Sequence, residues 1–306
     1  MKRILSIILS CAMASAIAQD ITGVVNLPVA SNADLSARQI LKRHDELFST
    51  SSVVMNRPGA NGQIGITAAL DGDPQKVLLI SGHGAITELA QEKYDQLVPI
   101  TDISRNPFAL VVRKDFPANT YDEFVAYARA NPGKINLGIQ NPAATYPIQG
   151  PIEARGKYTT NHIIYAGGGG KRAEVDVASG VLDGMWTLPS AVLSSGLGDR
   201  VKFLAVTSNK RIPNIGDQVV YGNDARIGQH YLYTSIWANA KMDKNKQEQL
   251  NTRLNAILKS PWGQEQFGKY GNVVVGTSIE EGHAEWKRIR SHYNNYKTKH
   301  PEHFQK

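Results

Sequence analysis

The sequence predicts an α/β protein of two domains. Short apolar runs alternate with segments whose apolar residues recur every three or four positions, which is typical of strand–helix units in largely parallel sheets. The chain has 306 residues, and even without a leader segment it exceeds the ~100 to 200 residues of a usual domain. We therefore expect two domains, each with its own hydrophobic core.

The clearest elements of the N-terminal half are two strands and a helix. Residues 24–27 form the first predicted strand, and the apolar run 77–80 forms a second, buried one. The helix after the first strand is expected to place its apolar face on the core. At a spacing of 3.6 residues that face consists of Ile40, Leu41, His44, Leu47 and Phe48.

Capping signals locate three later helices. Thr120 with Glu123 has the spacing of a capping box, and so do Ser278 and Glu281. Asp243 is placed to cap another helix, which a proline interrupts. The helix after Ser278 carries one apolar stripe that we expect to dock on a core: Ile279, Trp286, Ile289, Tyr293 and Tyr296.

The N-terminus has the composition of an export signal. Lys2 and Arg3 precede an apolar stretch, and the small residues of 16–18 form a cleavage site. Residues 1–18 are therefore predicted to be a Sec-type signal peptide, with the mature chain in the periplasm.

Composition excludes several other classes. The single cysteine, Cys11, lies inside the predicted signal, so we expect no disulfide, cysteine nucleophile or thiolate metal site in the mature chain. Lipoprotein anchoring at Cys11 is an open alternative. The formal charge is +7, or +5 without Lys2 and Arg3 (7 − 2), which is compatible with acidic small molecules. Nucleic acid is not an expected partner, because no lysine and arginine cluster is interleaved with aromatic residues.

Residues 56–65, Asn-Arg-Pro-Gly-Ala-Asn-Gly-Gln-Ile-Gly, form a predicted turn between a strand and a helix. Pro58 presets φ and Gly59 supplies a positive φ, as a type II turn requires. Gly62 and Gly65 leave the helix start free of side chains, and a bare helix N-terminus suits a small anion. An ordinary tight connection that binds nothing explains the same spacing.

This motif resembles the signature of the tripartite tricarboxylate transporter substrate-binding proteins, the Bug receptor family. Further segments are similar to that family in the same order, along nearly the whole mature chain. They are Val111-Val112, Phe116-Pro117-Ala118, the run 126–136, Tyr165 with the glycines of 167–170, Gly180, Leu188-Pro189-Ser190-Ala191, and Leu204-Ala205-Val206-Thr207-Ser208 with Lys210-Arg211.

The resemblance implies a periplasmic-binding-protein-like fold, with two α/β domains, a ligand cleft between them and two crossover strands. The crossings are expected near Phe108 and near Ser235. The first domain would then be discontinuous, 19–108 with 236–306, and the second would be 109–235. Hinge closure would bury a ligand between the domains.

The resemblance also implies that loops after the strands hold a ligand carboxylate with backbone amides, small hydroxyls and water. In the first domain the matching positions are Ser31 and Asn32, followed by Ser81, His83 and Gly84. We expect Ser81 to donate from its hydroxyl. A neutral His83 would donate one hydrogen bond, although a surface histidine on a loop is an equal interpretation.

The second domain is expected to contribute two loops and a strand end. Asn141, Ala144 and Thr145 match the first loop, and Thr145 keeps the hydroxyl that the family has there. Gly168, in a glycine run, is expected to line the cleft or to form a flexible connection. Thr187 occupies a position where many family members carry an acid, so an amino-bearing ligand is less expected.

Three other side chains have alternative interpretations. Asp34 is interpreted as a helix cap, because a carboxylate in the site would repel an incoming one. Tyr146 and Trp186 would pack on an aromatic or long apolar carboxylate if both face the cleft. Otherwise both belong to a hydrophobic core.

An enzyme is the main competing class, and no motif favours it. The sequence has no Gly-x-Ser-x-Gly elbow, and Ser81 with His83 lacks a separate base and acid. The glycines of 167–170 fail as a phosphate loop, because Arg172 replaces the Ser or Thr that would bind magnesium. The histidines of 300–303 lie at an end expected to fray, so no metal site is expected. An exported hydrolase is the weakest alternative.

We therefore expect a receptor that binds a small mono- or dicarboxylate, aromatic ones included, without a cofactor and without chemistry. The resemblance implies two integral membrane transporter subunits as partners of a monomeric receptor. Presentation of the ligand to a membrane sensor is the alternative, since both functions need the same closing cleft.

Overall fold

The computed structural model describes residues 21–165 and 170–304. The predicted signal peptide, Cys11 and Gly168 lie outside the described residues. The strands are β1 (Ile21–Val25), β2 (Ser52–Asn56), β3 (Val77–Gly82), β4 (Leu97–Pro107), β5 (Ala109–Arg113), β6 (Asn136–Ile139), β7 (Asn161–Ile164), β8 (Gly184–Thr187), β9 (Val201–Val206), β10 (Tyr231–Asn239) and β11 (Val273–Val274).

The helices connect these strands and cover both sheets. They are α1 (Asn32–Phe48), α2 (Gln63–Asp71), α3 (His83–Thr87), α4 (Gln91–Tyr94), α5 (Tyr121–Ala130), α6 (Pro142–Gly156), α7 (Gly170–Ala178), α8 (Pro189–Ser194), α9 (Lys244–Lys259), α10 (Pro261–Phe267) and α11 (Ile279–Lys299). Short 3-10 turns occupy Ala60–Gly62, Gly198–Arg200, Lys269–Gly271 and Pro301–Phe304. Within the described ranges, no helix combines the length and the apolar character that crossing a membrane requires.

The strands form two separate sheets, which confirms the predicted α/β class. The order in the first is β11-β4-β10-β3-β1-β2, and in the second β7-β6-β8-β5-β9. We call the first sheet with its helices lobe 1 and the second lobe 2. The neighbouring strands β1, β2 and β3 are parallel, as are β6, β7 and β8. The other pairs are antiparallel: β10 with β3 and β4, β5 with β8 and β9, and the short β11 with β4.

The chain changes lobes twice. Only Phe108 separates β4 of lobe 1 from β5 of lobe 2, and the chain returns between β9 and β10. Ser235 lies inside β10, opposite Ser81 of β3 and Asp102 of β4. The domain limits 19–108 with 236–306, and 109–235, stay a prediction.

Each sheet is buried on both faces, which explains the continuous apolar runs of its central strands. In β3, Leu78 and Ile80 contribute to the core under α1 and α9, whereas Leu79 contributes to the core under α2 and α11. In lobe 2, Leu110 and Val111 of β5 point into two different cores in the same way. Of the predicted apolar face of α1, Ile40, Leu41 and His44 are buried, but Leu47 is 50% exposed.

The predicted helix caps are largely as expected. Ser278 and Glu281 form both hydrogen bonds of a capping box, and Asp243 caps α9. Thr120 caps α5, whereas the carboxylate of Glu123 accepts from the amide of Asn119.

The interpretation of Asp34 as a cap is wrong. Ser31 is the N-cap of α1, and its side chain accepts a hydrogen bond from the Asp34 amide. The Asp34 carboxylate instead accepts from the Ala30 amide at 2.8 Å and pairs with Arg38. These contacts leave it buried at the first turn of the helix.

The glycines of the 56–65 turn serve close packing. Gly59 has the predicted positive φ of 122°, but its ψ of 158° is far from the ~0° of a type II turn. Gly62 also has a positive φ, 87°. A Cβ on Gly65 would lie 2.6 Å from the Cβ of Asn26, so only glycine lets α2 begin against the end of β1.

Helix α11 is anchored in lobe 1 and reaches lobe 2. The indole of Trp286 donates to the buried carboxylate of Asp102 at 3.1 Å, and the Ser235 hydroxyl donates to the same oxygen. Burial raises the pKa of Asp102. Further along, Tyr296 lies against Gly150 of α6, where a Cβ would have no room beside its hydroxyl. The last lobe 1 helix therefore contacts lobe 2 directly.

Thr207 ties the two crossings together. The Phe108 amide donates to the Thr207 hydroxyl oxygen at 2.9 Å, and the Thr207 amide donates to the Phe108 carbonyl at 2.8 Å. The Thr207 hydroxyl in turn donates to the carbonyl of His230, and the amide of His230 donates back to the Thr207 carbonyl. Thr207 is fully buried, so these bonds have no water to replace them.

Thr207→Val is expected to lower the free energy of unfolding by about 1 to 3 kcal/mol, because it keeps the shape but leaves a buried amide and a buried carbonyl unpaired. Urea unfolding measures the change. Thr207→Ser is the matched control, since it retains the hydroxyl. Equal stability of the valine variant and the original protein would contradict the role of this tie.

Candidate functional site

The carboxyl ends of the parallel strands define a cleft between the lobes. In lobe 1, β4 runs in the same direction as β1 to β3, because β10 is antiparallel to both β3 and β4. In lobe 2, β8 ends at Thr187, opposite Ala109, where β5 begins. Since one residue joins β4 to β5, the carboxyl edges of the two sheets face each other. This is the edge at which open α/β sheets bind ligands.

Six helices of the described chain begin at these two edges. Helices α1, α2 and α3 follow β1, β2 and β3, and helices α6, α7 and α8 follow β6, β7 and β8. Each N-terminus carries a partial positive charge. The side chains of Ser31 and Asn141 already accept from one first-turn amide each, in α1 and α6. Both walls of the cleft are therefore suited to an anion.

Ser31 and Asn32 lie at the start of α1, both partly exposed. The hydroxyl of Ser31 is occupied as the helix cap. The side-chain amide of Asn32 donates to the hydroxyl of Thr234 at 3.3 Å. Asn106 donates to the same hydroxyl at 3.2 Å, so this end of the site lies beside the strands that lead to the crossings.

Ser81 lies deeper than expected. It is fully buried, its hydroxyl donates to the Gly82 carbonyl at 3.1 Å, and it accepts from the side-chain amide of Asn26 at 2.9 Å. Its donor capacity is therefore used inside lobe 1. The side-chain oxygen of Asn26, Oδ1, is buried and has no hydrogen-bond partner among the described residues.

His83 packs on aromatic side chains at the start of α3. Its ring centroid lies 5.7 Å from those of both Tyr233 and Trp286. Burial lowers the pKa of His83 to about 3, and the like charge of His292 acts in the same direction. The ring is therefore neutral at physiological pH. Its Nδ1 is buried and finds no partner in the described part of the chain.

The lobe 2 loop is organised by Asn141. Its side chain caps α6 by accepting from the Ala144 amide at 3.2 Å. Ala144 and Thr145 are buried in the first turn of that helix. The hydroxyl of Thr145 is buried as well, and nothing within 21–165 or 170–304 bonds to it. Such a hydroxyl is unusual in a folded protein.

Gly84 and Asn141 bring the two lobes together. A Cβ on Gly84 would lie 2.7 Å from Asn141 Nδ2, so the glycine permits the closest approach of α3 to α6. The two residues come from loops that are 57 positions apart in the chain (141 − 84). Their contact closes one side of the cleft.

Thr187 forms part of a polar group that the sequence did not reveal. Its hydroxyl donates to Glu174 of α7 at 3.1 Å and accepts from the side-chain amide of Gln140 at 3.3 Å. Burial raises the pKa of Glu174. Position 187 itself carries no acid, as the sequence shows, but α7 places the carboxyl of Glu174 beside it from elsewhere in the chain.

Tyr146 and Trp186 do not face the cleft together, which corrects the aromatic-ligand hypothesis. Trp186 is fully buried in the lobe 2 core that also contains Phe108. Tyr146 is 3% exposed, and its ring stacks on that of His303 at 4.4 Å. Both side chains already have packing partners inside the protein.

Comparison with known proteins agrees with this geometry. Residues 36–279 match the family model described as the tripartite tricarboxylate transporter family receptor. The chain belongs to this family.

Relatives of this receptor match most of its length. Protein BugT of Bordetella pertussis (strain Tohama I) is 24% identical over 272 residues, which cover 84% of this chain and 82% of that protein. The structure of R. palustris Rpa4515 with adipate has a TM-score of 0.79 at 20% identity and covers 91% of this chain and 96% of that one. The structure of MatC (Rpa3494) from Rhodopseudomonas palustris with bound malate has a TM-score of 0.70 at 18% identity. The match covers 88% of this chain and 98% of that one.

The predicted site residues lie in different environments. Gly84 and Asn141 meet at the contact between the lobes, Thr145 is buried in the first turn of α6, and the hydroxyls of Ser81 and Thr187 are bonded within one lobe. Three side chains were missed, namely Asn26, Gln140 and Glu174. A polar residue closing the buried run of β1 was a usable signal for Asn26. Nothing local to the sequence indicates that Glu174, within a helix, reaches the end of β8.

A double-mutant cycle tests the contact between the lobes. Gly84→Ala is expected to destabilise the protein although alanine favours a helix by ~1 kcal/mol, because the new methyl group meets Asn141. Asn141→Ala is expected to cost about 1 kcal/mol through the lost cap. In the double variant the loss should be smaller than the sum of the two.

Urea unfolding of the three variants measures the coupling. Gly198→Ala is the control, since its Cβ would meet only the end of the Leu193 side chain, at 3.3 Å. Strict additivity of the two site substitutions would show that the lobes do not touch here.

A second prediction concerns the charge of His83. Its pKa in the folded protein, about 3, is below the ~6.5 of an unfolded histidine, so acid favours the unfolded state. The imidazole should stay neutral from pH 8 to pH 5 in NMR spectra of histidine-labelled protein, with His83→Gln identifying its signals. The same variant should lose less stability than the original protein as the pH falls from about 6.5. A titration midpoint near pH 6 would contradict the assigned environment.

Proposed function

We propose that this chain is a periplasmic receptor that binds a small organic carboxylate between its lobes and delivers it to a tripartite tricarboxylate-type secondary transporter. The observation that carries the proposal is the convergence of helix N-termini on the carboxyl edges of both sheets. Each N-terminus stabilises a negative charge by ~0.3 to 1 kcal/mol when exposed, and by up to ~2 kcal/mol when partly buried. Several together, with hydrogen-bond donors to the ligand oxygens, reduce the cost of burying a carboxylate.

The side chains at the cleft support the same ligand class. Asn141 and Thr145 contribute neutral polar groups at the first turn of α6, and His83 holds an unpaired ring nitrogen on the lobe 1 side. Neutral donors recognise a carboxylate without introducing a competing charge. The relatives with bound adipate and malate support a dicarboxylate with a short chain.

The geometry favours reversible binding over catalysis. A hydrolase would need a serine hydroxyl hydrogen-bonded to its histidine base. Here the hydroxyl of Ser81 donates to the Gly82 carbonyl, and the Nδ1 of His83 has no partner within the described residues. Since the family is one of receptors, we propose that the chain performs no chemistry on its ligand.

Location and partners follow from the family. We propose that residues 1–18 direct export and are removed, and that the loaded, closed form docks on two integral membrane subunits of the transporter. A monomer is sufficient, because both walls of the cleft come from one chain. The proposal requires no cofactor.

A thermal-shift screen of the mature chain tests the ligand class. Malate, adipate and benzoate are compared with adipamide, which has the length of adipate but no charge. A bound carboxylate at one hundred times its dissociation constant should add ~2.7 kcal/mol of stability, whereas adipamide should add none. The proposal would be overturned if adipamide stabilised the protein as much as adipate does. It would also be overturned if none of the carboxylates stabilised the protein.

Thr145→Val then tests the site. The variant removes a buried hydroxyl that has no partner within the described residues, so the folded protein should be at least as stable as before. Affinity for the best carboxylate should fall about tenfold, which corresponds to ~1.4 kcal/mol. Thr298→Val on the exposed side of α11 is the control and should bind normally. Unchanged affinity of the Thr145 variant would place the ligand elsewhere.

A further inference from the structure

The turn after α11 gathers three metal-binding side chains. Residues three apart in a 3-10 turn lie on the same side. His300 directly precedes the turn Pro301–Phe304, and His303 lies within it, three residues later. Their rings are nearly parallel, with centroids 5.4 Å apart. Glu302 lies between them in sequence and completes a group of two imidazoles and one carboxylate.

The donor atoms of this group are close to one another. Glu302 Oε1 lies 3.3 Å from His300 Nδ1 and 3.9 Å from His303 Nε2. One donor atom from each residue lies within 4.8 Å of the other two. Ligand atoms around a tetrahedral Zn²⁺ are separated by ~3.3 Å, given bonds of ~2.0 to 2.2 Å. Side-chain rotations that move the atoms by about 1 Å therefore suffice to enclose an ion.

His303 is held in an orientation that suits a ligand. Its Nδ1 lies 3.0 Å from the hydroxyl of Tyr296, and its ring stacks on Tyr146. When Nδ1–H donates to the Tyr296 oxygen, the lone pair is on Nε2, the atom that faces Glu302. A hydrogen bond to the second ring nitrogen is the usual support of a metal-binding histidine.

The turn is packed, contrary to the expectation that this end frays. Phe304 makes edge contacts with Tyr146 of lobe 2 and with Tyr293 of α11, 6.1 and 5.6 Å between centroids. The two histidines are partly buried, whereas Glu302 is exposed. The backbone that carries the three donors is therefore ordered by contacts with both lobes.

We propose that His300, Glu302 and His303 form a binding site for a divalent transition-metal ion of the Zn²⁺ class. Two imidazoles and one carboxylate suit Zn²⁺, Co²⁺ or Ni²⁺, whereas Ca²⁺ and Mg²⁺ prefer oxygen ligands alone. Three protein ligands leave room for water at the ion. His162 is not part of the set, because its Nε2 lies 3.2 Å from Glu153 Oε1.

A bound ion would act on the contact between the lobes. His300 and Tyr296 belong to the end of α11, and the Tyr146 ring under His303 belongs to lobe 2. Metal binding fixes the side chains of this junction and stabilises it by mass action. The site lies at the end of α11, outside the cleft loops, so its test does not depend on the carboxylate proposal.

Isothermal titration of the mature, untagged chain with Zn²⁺ at pH 7.5 tests the site, together with Co²⁺ absorption spectra that report imidazole ligands. We expect one saturable site with micromolar or tighter affinity and a raised melting temperature in Zn²⁺. Glu302→Gln and His300→Ala should each weaken binding at least tenfold. His283→Ala, which removes an exposed histidine of α11, is the matched control and should bind as before.

The metal-binding test can be interpreted even if one of the variants is unstable. His303→Ala removes a packed ring, so Glu302→Gln, on an exposed side chain, provides the decisive comparison. No saturable Zn²⁺ binding below 100 μM, or binding that survives both Glu302→Gln and His300→Ala, would overturn the proposal.

Discussion

The architecture depends on a constraint of connectivity. A single residue, Phe108, joins β4 of the first sheet to β5 of the second. With no slack in the connection, the edge where β4 ends must face the edge where β5 begins. The return crossing is bonded to the first through Thr207. The two sheets are thus opposed at their carboxyl edges, and the cleft is a consequence of this geometry rather than of any one site residue.

Opposed carboxyl edges decide the electrostatic character of the cleft. Helices that follow parallel strands begin at that edge, so their positive ends collect on both walls. Side chains then need to supply only neutral hydrogen-bonding groups, as Asn141 and Thr145 do at the start of α6. An acidic group is nevertheless present, since Glu174 bonds to Thr187, and burial keeps its carboxyl closer to the neutral form.

Helix α11 couples the cleft to the far side of the molecule. Trp286 contacts His83 through its ring and Asp102 through its indole nitrogen, so a cleft residue and a buried carboxyl of β4 share one partner. The same helix ends against Gly150 and Tyr146 of lobe 2. A relative movement of the lobes must therefore change contacts at this end of α11 as well as at the cleft.

The sequence by itself determined the alternation of strands and helices, the caps of α9 and α11, and the family. These features depend on local periodicity, on side-chain to backbone bonds over three or four residues, and on an ordered set of motifs. It also located the loops after β3 and β6, because each follows a buried apolar run. The motifs also selected Gly84 and Asn141, which contact each other between the lobes, while their role in ligand binding stays a prediction.

Only the tertiary structure decided what those loops contact. That Gly84 touches Asn141, that Glu174 serves Thr187, and that Tyr146 stacks on His303 are contacts between segments distant in the chain. The same holds for the ordered turn at residues 301–304, which the sequence alone predicted to fray. Such contacts depend on how the two lobes dock, and that geometry produces no periodic pattern in the residues that take part.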